Sequence, residues 1–272
     1  FRRPHYGLAN LHENHYIGGI MNLELLRQVC VTPGAPGFED KIRDFIIQEE
    51  APLVDAVRVD NLGSVIAIVE GKDTEKTMMA AAHMDEIGLM VKQISKEGYI
   101  YFIKIGGIDD RILPAQKVII KSKKGDSFGL IGTKPPHLQK DEDRKRPMKY
   151  EDMFIDIGCK NKEEAEKRVE IGDAIIFEPN SGVLNGKLYY GKAADDRIGC
   201  YALIKIMERL KVNAEVYAVA TGQEEVGLKG ARTAAFKVDP DFAIAIDTTI
   251  AGDTPQITER ESALKLGSGV AI

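Results

Sequence analysis

VYAVATGQEEVGLKG occupies residues 216–230. Its first five residues are an apolar run, the pattern of a strand buried on both faces. The run breaks at Thr221 and Gly222, and two adjacent carboxylates follow at Glu224 and Glu225. Gly227 and Gly230 then lead into a helix-like stretch over residues 231–236. Acids just past the carboxyl end of a buried strand lie where open α/β sheets hold their ligands. The segment therefore predicts an α/β fold with a site at one sheet rim. Taken alone, the Glu-Glu pair also reads as a solvated turn.

Working outward, other strand ends carry the same kind of chemistry. TMMAAA (residues 77–82) is an apolar run ending at His83, with Asp85 two residues on. Residues 242–246 form another, ending at Asp247. Asp195 and Asp196 precede a broadly apolar helix carrying Ile198, Tyr201, Leu203, Ile204, Met207 and Leu210. Nearer the start, Leu23, Leu25, Leu26 and Val29 suggest a short helix, and VTPGAPGFED supplies a Pro/Gly turn. Phe38, Ile42, Phe45 and Ile46 recur at helical spacing, with Glu39 and Asp40 near the positive end of that helix. Residues 57–59 and 64–69 flank Asp60-Asn61-Leu62-Gly63 and read as a hairpin.

The texture changes between residues 89 and 187. Short alternating segments separated by glycine turns, at residues 98–104, 117–121 and 127–133, predict a small β-barrel or sandwich. Asn161 and Glu164 make a capping-box pattern ahead of a helix over residues 165–169. The run 139–152, dense in both signs of charge, reads as a solvated loop. The simplest organisation is one α/β domain built from residues 21–87 and 189–272, interrupted by an inserted β domain at 88–188. Insertion at a surface turn is physically undemanding. Residues 1–20 lack an apolar core or clear periodicity and read as an extension, disordered or foreign to the fold, so His5, His12 and His15 are set apart from the site.

Composition excludes several function classes. A net charge of −5 with no basic stripe argues against nucleic acid as a partner. No apolar run approaches the roughly 20 residues of a membrane helix. Three widely spaced cysteines, Cys30, Cys159 and Cys200, read as free thiols in a reducing cytoplasm. There is no H-E-x-x-H, no G-x-S-x-G and no G-x-G-x-x-G; Gly182 to Lys187 is one residue short of a phosphate loop.

His83, Asp85, Asp195, Asp196, Glu224, Glu225 and Asp247 therefore remain as the chemistry-bearing set. If their strands are parallel neighbours, His83, Glu224, Glu225 and Asp247 share one rim, and Asp195 reaches it from an adjacent helix. One imidazole among carboxylates suits zinc, cobalt or manganese, and a carboxylate can bridge two ions. Each member has a plainer reading: a hydrogen-bonded structural histidine, an N-cap at Asp195, a first-turn acid at Asp196, a turn cap at Asp247, an ion pair at Asp85. Jointly those readings weaken, because acids crowded at one rim without cations repel one another.

AHMDEIG (82–88), GKAADDRIG (191–199), GQEEVGLKGA (222–231) and AIDTTIAGDTP (245–255) resemble, in the same order, the motifs of the glutamyl-aminopeptidase or tetrahedral-aminopeptidase family of di-metal exopeptidases. Some members of that family are labelled cellulase or endoglucanase. TKPPHL (133–138) and FIDIGCKNKEEAE (154–166) are similar to its inserted domain, and the likeness runs from about Met21 onward. The resemblance implies a di-zinc-aminopeptidase-like fold, a mixed sheet flanked by helices with an inserted small β-barrel. It implies two divalent metal ions per subunit, zinc or cobalt. Asp195 would bridge them, His83 and Asp247 would complete the first site, and Glu225 would serve the second. Glu224 would be the general base, and Asp85 would orient the His83 ring. The implied reaction is hydrolysis of the N-terminal bond of short peptides by a water held between the ions. The implied assembly is a homo-oligomer, dimers formed through the β domain that build a dodecamer.

Family members supply a last histidine from a segment beyond the equivalent of Ile272, whereas no histidine here follows His137. The expectation is a distal portion beyond Ile272, or else a second site of Asp195, Glu225 and solvent. The rival functions are an inactive relative acting in assembly or binding, and a glycosidase working through paired acids. The absence of tryptophan disfavours the glycosidase, since sugar rings stack on such platforms.

Overall fold

The computed structural model describes residues 16–17, 21–138 and 148–272. His5, His12, His15 and most of the charged run from Gln139 lie outside the described residues. In chain order the first half comprises β1 (Tyr16–Ile17), β2 (Met21–Asn22), α1 (Leu23–Val31), α2 (Asp40–Glu50), β3 (Ala56–Val59), β4 (Val65–Val69) and β5 (Asp73–His83). The barrel segment follows: β6 (Gly88–Ile94), β7 (Ile100–Ile105), β8 (Lys117–Ser122), β9 (Gly125–Gly132), β10 (Phe154–Asp156), α3 (Lys162–Glu166) and β11 (Ala174–Phe177). The hairpin of β12 (Ser181–Leu184) and β13 (Leu188–Gly191) leads to α4 (Ala194–Met207), β14 (Ala214–Thr221), α5 (Lys229–Val238) and β15 (Phe242–Ala245).

The main sheet has the order β15-β5-β14-β4-β3. It is mixed: β15, β5 and β14 run parallel, while β4 and β3 are antiparallel to their neighbours. Alternation along the strands sends Val65, Ala67, Ala218 and Ala220 to one face, where they pack with Leu26, Val29, Ile42, Ile46, Leu203 and Ile204 of α1, α2 and α4. Ile66, Ile68, Met79 and Val219 point the other way and pack with Ala234 of α5. Helices thus cover both faces, as a strand buried on two sides requires. The apolar run expected as a strand over residues 242–246 is β15. It is the edge of the sheet, and Phe242 and Ile244 are exposed.

Strands β6 to β11 close into a six-stranded barrel, order β10-β7-β6-β11-β8-β9 with β9 returning to β10. Its core is built from Leu89, Val91, Ile100, Phe102, Val118, Ile120, Ile155 and Ile175, the inward residues of each alternation. The capping pattern at Asn161 is realised: its Oδ1 accepts from the Glu164 amide at 2.9 Å. Glu164 reaches the Lys160 amide rather than that of Asn161, and the helix begins and ends about three residues earlier than expected, at Lys162 and Glu166. The N-terminal stretch also differs from an unstructured extension in one place. Tyr16 and Ile17 pair with Asn22 and Met21, a backbone interaction that needs no side-chain pattern to announce it.

At the end of α2, Glu50 is fully buried, and neither carboxylate oxygen has a hydrogen-bond partner among the described residues. Burial pushes its carboxyl up to about 8. Because the folded-state value lies above the unfolded one, the folded chain binds this proton more tightly. Its contribution is complete below about pH 4.5 and is lost progressively as pH rises towards 8. Glu50→Gln is expected to flatten that slope and raise stability at pH 8 by roughly 2 kcal/mol, less than the full linkage because the amide is also buried. Urea denaturation at pH 5 and pH 8 checks it; equal pH dependence in both proteins contradicts it.

Candidate metal centre

The register of the parallel strands brings the separated motifs together. Thr221, last in β14, lies opposite His83, last in β5, and Ala245 of β15 lies opposite Ala81. Two bonds extend the alignment past the strand ends: Met84 N donates to Thr221 O at 2.8 Å, and Ile246 N to Ala81 O at 2.7 Å. The residues just beyond each strand therefore share one rim, the carboxyl end of the parallel strands.

His83 is 5 % exposed, and its two nitrogens face different groups. Nε2 is 3.2 Å from Asp195 Oδ1 and 3.8 Å from Glu224 Oε2. Nδ1 lies 3.1 Å from the main-chain oxygen of Asp85 and 3.7 Å from its carboxylate. The expected orienting role of Asp85 thus has its nearer contact through the backbone. The Asp85 carboxylate, fully buried, accepts instead from the amides of Glu224 at 2.9 Å and Glu225 at 3.0 Å. Gln223 before them has φ +58°, a left-handed conformation uncommon outside glycine that persists only where surroundings hold it.

Two triplets have ligand atoms within 4.8 Å of one another: His83 with Asp195 and Asp247, and His83 with Glu224 and Glu225. Asp195 and Asp247 are exposed to solvent, whereas Glu224 and Glu225 are half-buried. Of the seven residues singled out from the sequence, five fall in these triplets, and Asp85 and Asp196 are hydrogen-bonded to their backbone amides; Glu225 groups with His83 and Glu224 rather than with Asp195. A single imidazole with oxygen donors matches the preference of borderline and hard divalent cations.

The electrostatics point the same way. Burial works against a charged His83, yet Asp85, Asp196 and Glu224 lift it to about 9. Burial raises Glu225 to about 7, helped by Asp85, Glu224 and Asp195 and opposed by His83. Glu224 is raised for the same reasons, burial first. Asp196 is pushed to about 7 by burial, with Asp247 adding and His83 opposing. One imidazole cannot neutralise so many acids, and cations among them would relieve the repulsion.

Four neighbours play parts that the sequence did not disclose. Asp196, fully buried, accepts from His83 N at 3.2 Å and Gly199 N at 3.1 Å, so it ties the start of α4 to the end of β5. It does the capping work that the pattern assigned to Asp195; Asp195 and Asp196 both have non-helical backbones and turn their carboxylates to different partners. Glu86 and Lys192 form a buried pair at 2.5 Å, and Glu86 also accepts from Gly34 N at 3.1 Å. Arg197, with no exposed surface, donates to Val29 O and Thr32 O. A Cβ at Gly34 would lie 2.5 Å from Ile42 and 2.8 Å from the Arg197 guanidinium, which is why this turn needs glycine. From the barrel side, Gly106 (φ +91°) approaches so closely that a Cβ there would lie 3.0 Å from Glu225 Oε2.

The profile of the M42 glutamyl aminopeptidases matches residues 63–272. The chain belongs to that family. As an M42 member it is a metal-dependent aminopeptidase, a hydrolase. It is 38 % identical over 236 residues to the lysyl aminopeptidase of Pyrococcus furiosus, covering 85 % of this chain and 68 % of that one. The TET aminopeptidase structure from the archaeon Thaumarchaeota SCGC AB-539-E09 superposes with a TM-score of 0.87 at 39 % identity, over 91 % of this chain and 70 % of the other. The Pyrococcus horikoshii TET1 peptidase, described as assembling into a tetrahedron or a large octahedral shell, gives 0.77 at 39 % identity over 85 % and 71 %. This M42 chain therefore has the mixed sheet and closed barrel of its TET neighbours. Among the described residues no helix is long and apolar enough to cross a membrane.

Proposed function

We propose that this M42 chain removes the N-terminal residue of short peptides with two divalent ions, zinc or cobalt, held at the rim of the parallel strands. The observation that carries the reading is the pair of triplets converging on His83. His83, Asp195 and Asp247 would hold one ion. Glu225 would hold the other, with Asp195 shared between them. When bound, the ions supply Lewis acidity and make a water nucleophilic near neutral pH.

The chain's own groups would do the rest. Glu224, half-buried and left out of the proposed ion ligands, takes the proton of the attacking water and returns it to the leaving amine. Asp85 holds the backbone amides of Glu224 and Glu225, so the two adjacent acids keep separate roles. Asp196 and the Glu86–Lys192 pair keep the loop after β5 in register with the start of α4, where Asp195 sits.

Residues 88–188 would form a dimerisation domain inserted into a catalytic domain of 21–87 and 189–272. Phe128 and Leu130, both exposed on β9 of the barrel, support a subunit contact there. Dimers joined in this way would build a dodecamer, as assembly into closed shells in the TET relative suggests. Free thiols at Cys30, Cys159 and Cys200 suit a reducing compartment, the cytoplasm.

A panel of aminoacyl-p-nitroanilides, assayed before and after chelation, tests the reaction. Turnover of at least one substrate is expected, with loss to background after chelation and recovery on adding zinc or cobalt. Hydrolysis that survives complete metal removal, or no hydrolysis of any member by the metal-loaded protein, rejects the reading.

A further inference from the structure

We infer that Glu39 is a positioning residue for the acid pair, its buried carboxylate holding the Gln223 amide and thereby fixing the turn that presents Glu224 and Glu225. The inference rests on the roles proposed above for those two acids and concerns a residue 184 positions away from the turn.

Glu39 stands at the N-cap position of α2, yet its side chain makes no capping bond to that helix. It turns instead towards the strand ends, where Oε1 accepts from Gln223 N at 3.1 Å. Only 4 % of the residue is exposed. Burying a carboxylate is unfavourable unless its oxygens are satisfied, and here backbone amides of Gly37, Glu39 and Gln223 oppose the upward push of burial.

Seen from the turn, the arrangement is continuous. Gln223 N goes to Glu39, and Glu224 N and Glu225 N go to the two oxygens of Asp85. Three successive amides are thus each taken by a buried carboxylate oxygen. The first of them belongs to the residue with the left-handed backbone, where an unheld turn would relax. The fit is close on the neighbouring side as well, since a Cβ at Gly222 would lie 3.2 Å from Glu39 Oε1. Glu39 itself is rigidly carried, because α2 is anchored in the core by Ile42 and Ile46. A group on a rigid element holding the backbone of a reactive residue is the usual way a site keeps its geometry.

The test uses the full chain with Glu39→Ala, Glu39→Asp and Glu39→Gln. Glutamine retains an acceptor of the same reach; aspartate keeps the charge but withdraws it. In metal-free protein, hydrogen exchange at the Gln223 amide is expected to rise at least ~10-fold in Glu39→Ala and Glu39→Asp and to stay near wild type in Glu39→Gln. In metal-loaded protein, kcat should fall ~10- to 100-fold in the first two variants, with KM unchanged, and be largely retained in the third. Should Glu39→Ala not fold, Glu39→Asp carries the same expectation. The inference is overturned if the Gln223 amide keeps its protection in Glu39→Asp, or if Glu39→Gln loses as much kcat as Glu39→Asp. Failure of the general-base reading is separate: Glu224→Gln would then keep its turnover while the Gln223 amide still lost protection in the Glu39 variants.

Discussion

Glu224→Gln is expected to lower kcat by about 10³-fold, within the 10²- to 10⁴-fold range of general acid–base catalysis. The substitution preserves size but replaces the carboxylate with a neutral amide that cannot take up and release a proton at this position. Glu224 lies 3.8 Å from His83 Nε2 with 27 % of its side chain exposed, so it faces both the cluster and solvent. A group that acts only in the transition state changes kcat and kcat/KM together, so KM should be unaffected. Metal content should also be preserved, because His83, Asp195, Asp247 and Glu225 remain. Glu225→Gln gives the contrast, with loss of one metal equivalent as well as of rate. Metal analysis with steady-state kinetics separates the two. A Glu224→Gln protein retaining more than about a tenth of wild-type kcat would remove this residue from the chemistry.

Lys192→Met is expected to destabilise the fold by about 3–5 kcal/mol, the usual penalty for stranding one partner of a buried ion pair. The side chains of Lys192 and Glu86 are 5 % and 1 % exposed. Burial pulls the Lys192 ammonium down from its ordinary range, and Glu86 opposes that pull. Without the lysine, the Glu86 carboxylate keeps, among the described residues, the Gly34 amide and a guanidinium 3.8 Å away on Arg197. The double variant Lys192→Met/Glu86→Gln should recover most of the loss, since replacing both charges removes the stranded one. Denaturant midpoints for the two single variants and the double variant give the coupling directly. A Lys192→Met protein as stable as wild type would show that this pair adds nothing to the fold. The pair also matters to the site, because it joins the loop after His83 to the turn before Asp195.

Local pattern carried most of the architecture. The apolar runs ending at His83, Thr221 and Asp247 were legible as strands because composition and breaks mark them. That they are parallel neighbours was not, since strand order depends on packing between residues more than a hundred positions apart. The same limit hid Glu39, whose charge near a helix start is explained locally by the helix dipole, while its contact lies across the molecule at Gln223. Asp195 and Asp196 are neighbours of one residue type, and no rule of spacing says which caps and which faces the cluster. Backbone angles at the start of α4 decide that. The exposed character of β15 was equally hidden, because an apolar run looks the same at an edge as in a sheet interior.

Anomalous diffraction from crystals of the zinc-loaded protein tests the central claim most directly. Two zinc peaks are expected in each subunit, one in contact with His83, Asp195 and Asp247 and the other with Glu225. Peaks confined to other parts of the molecule, with none touching His83 or Glu225, would contradict a metal centre at this rim.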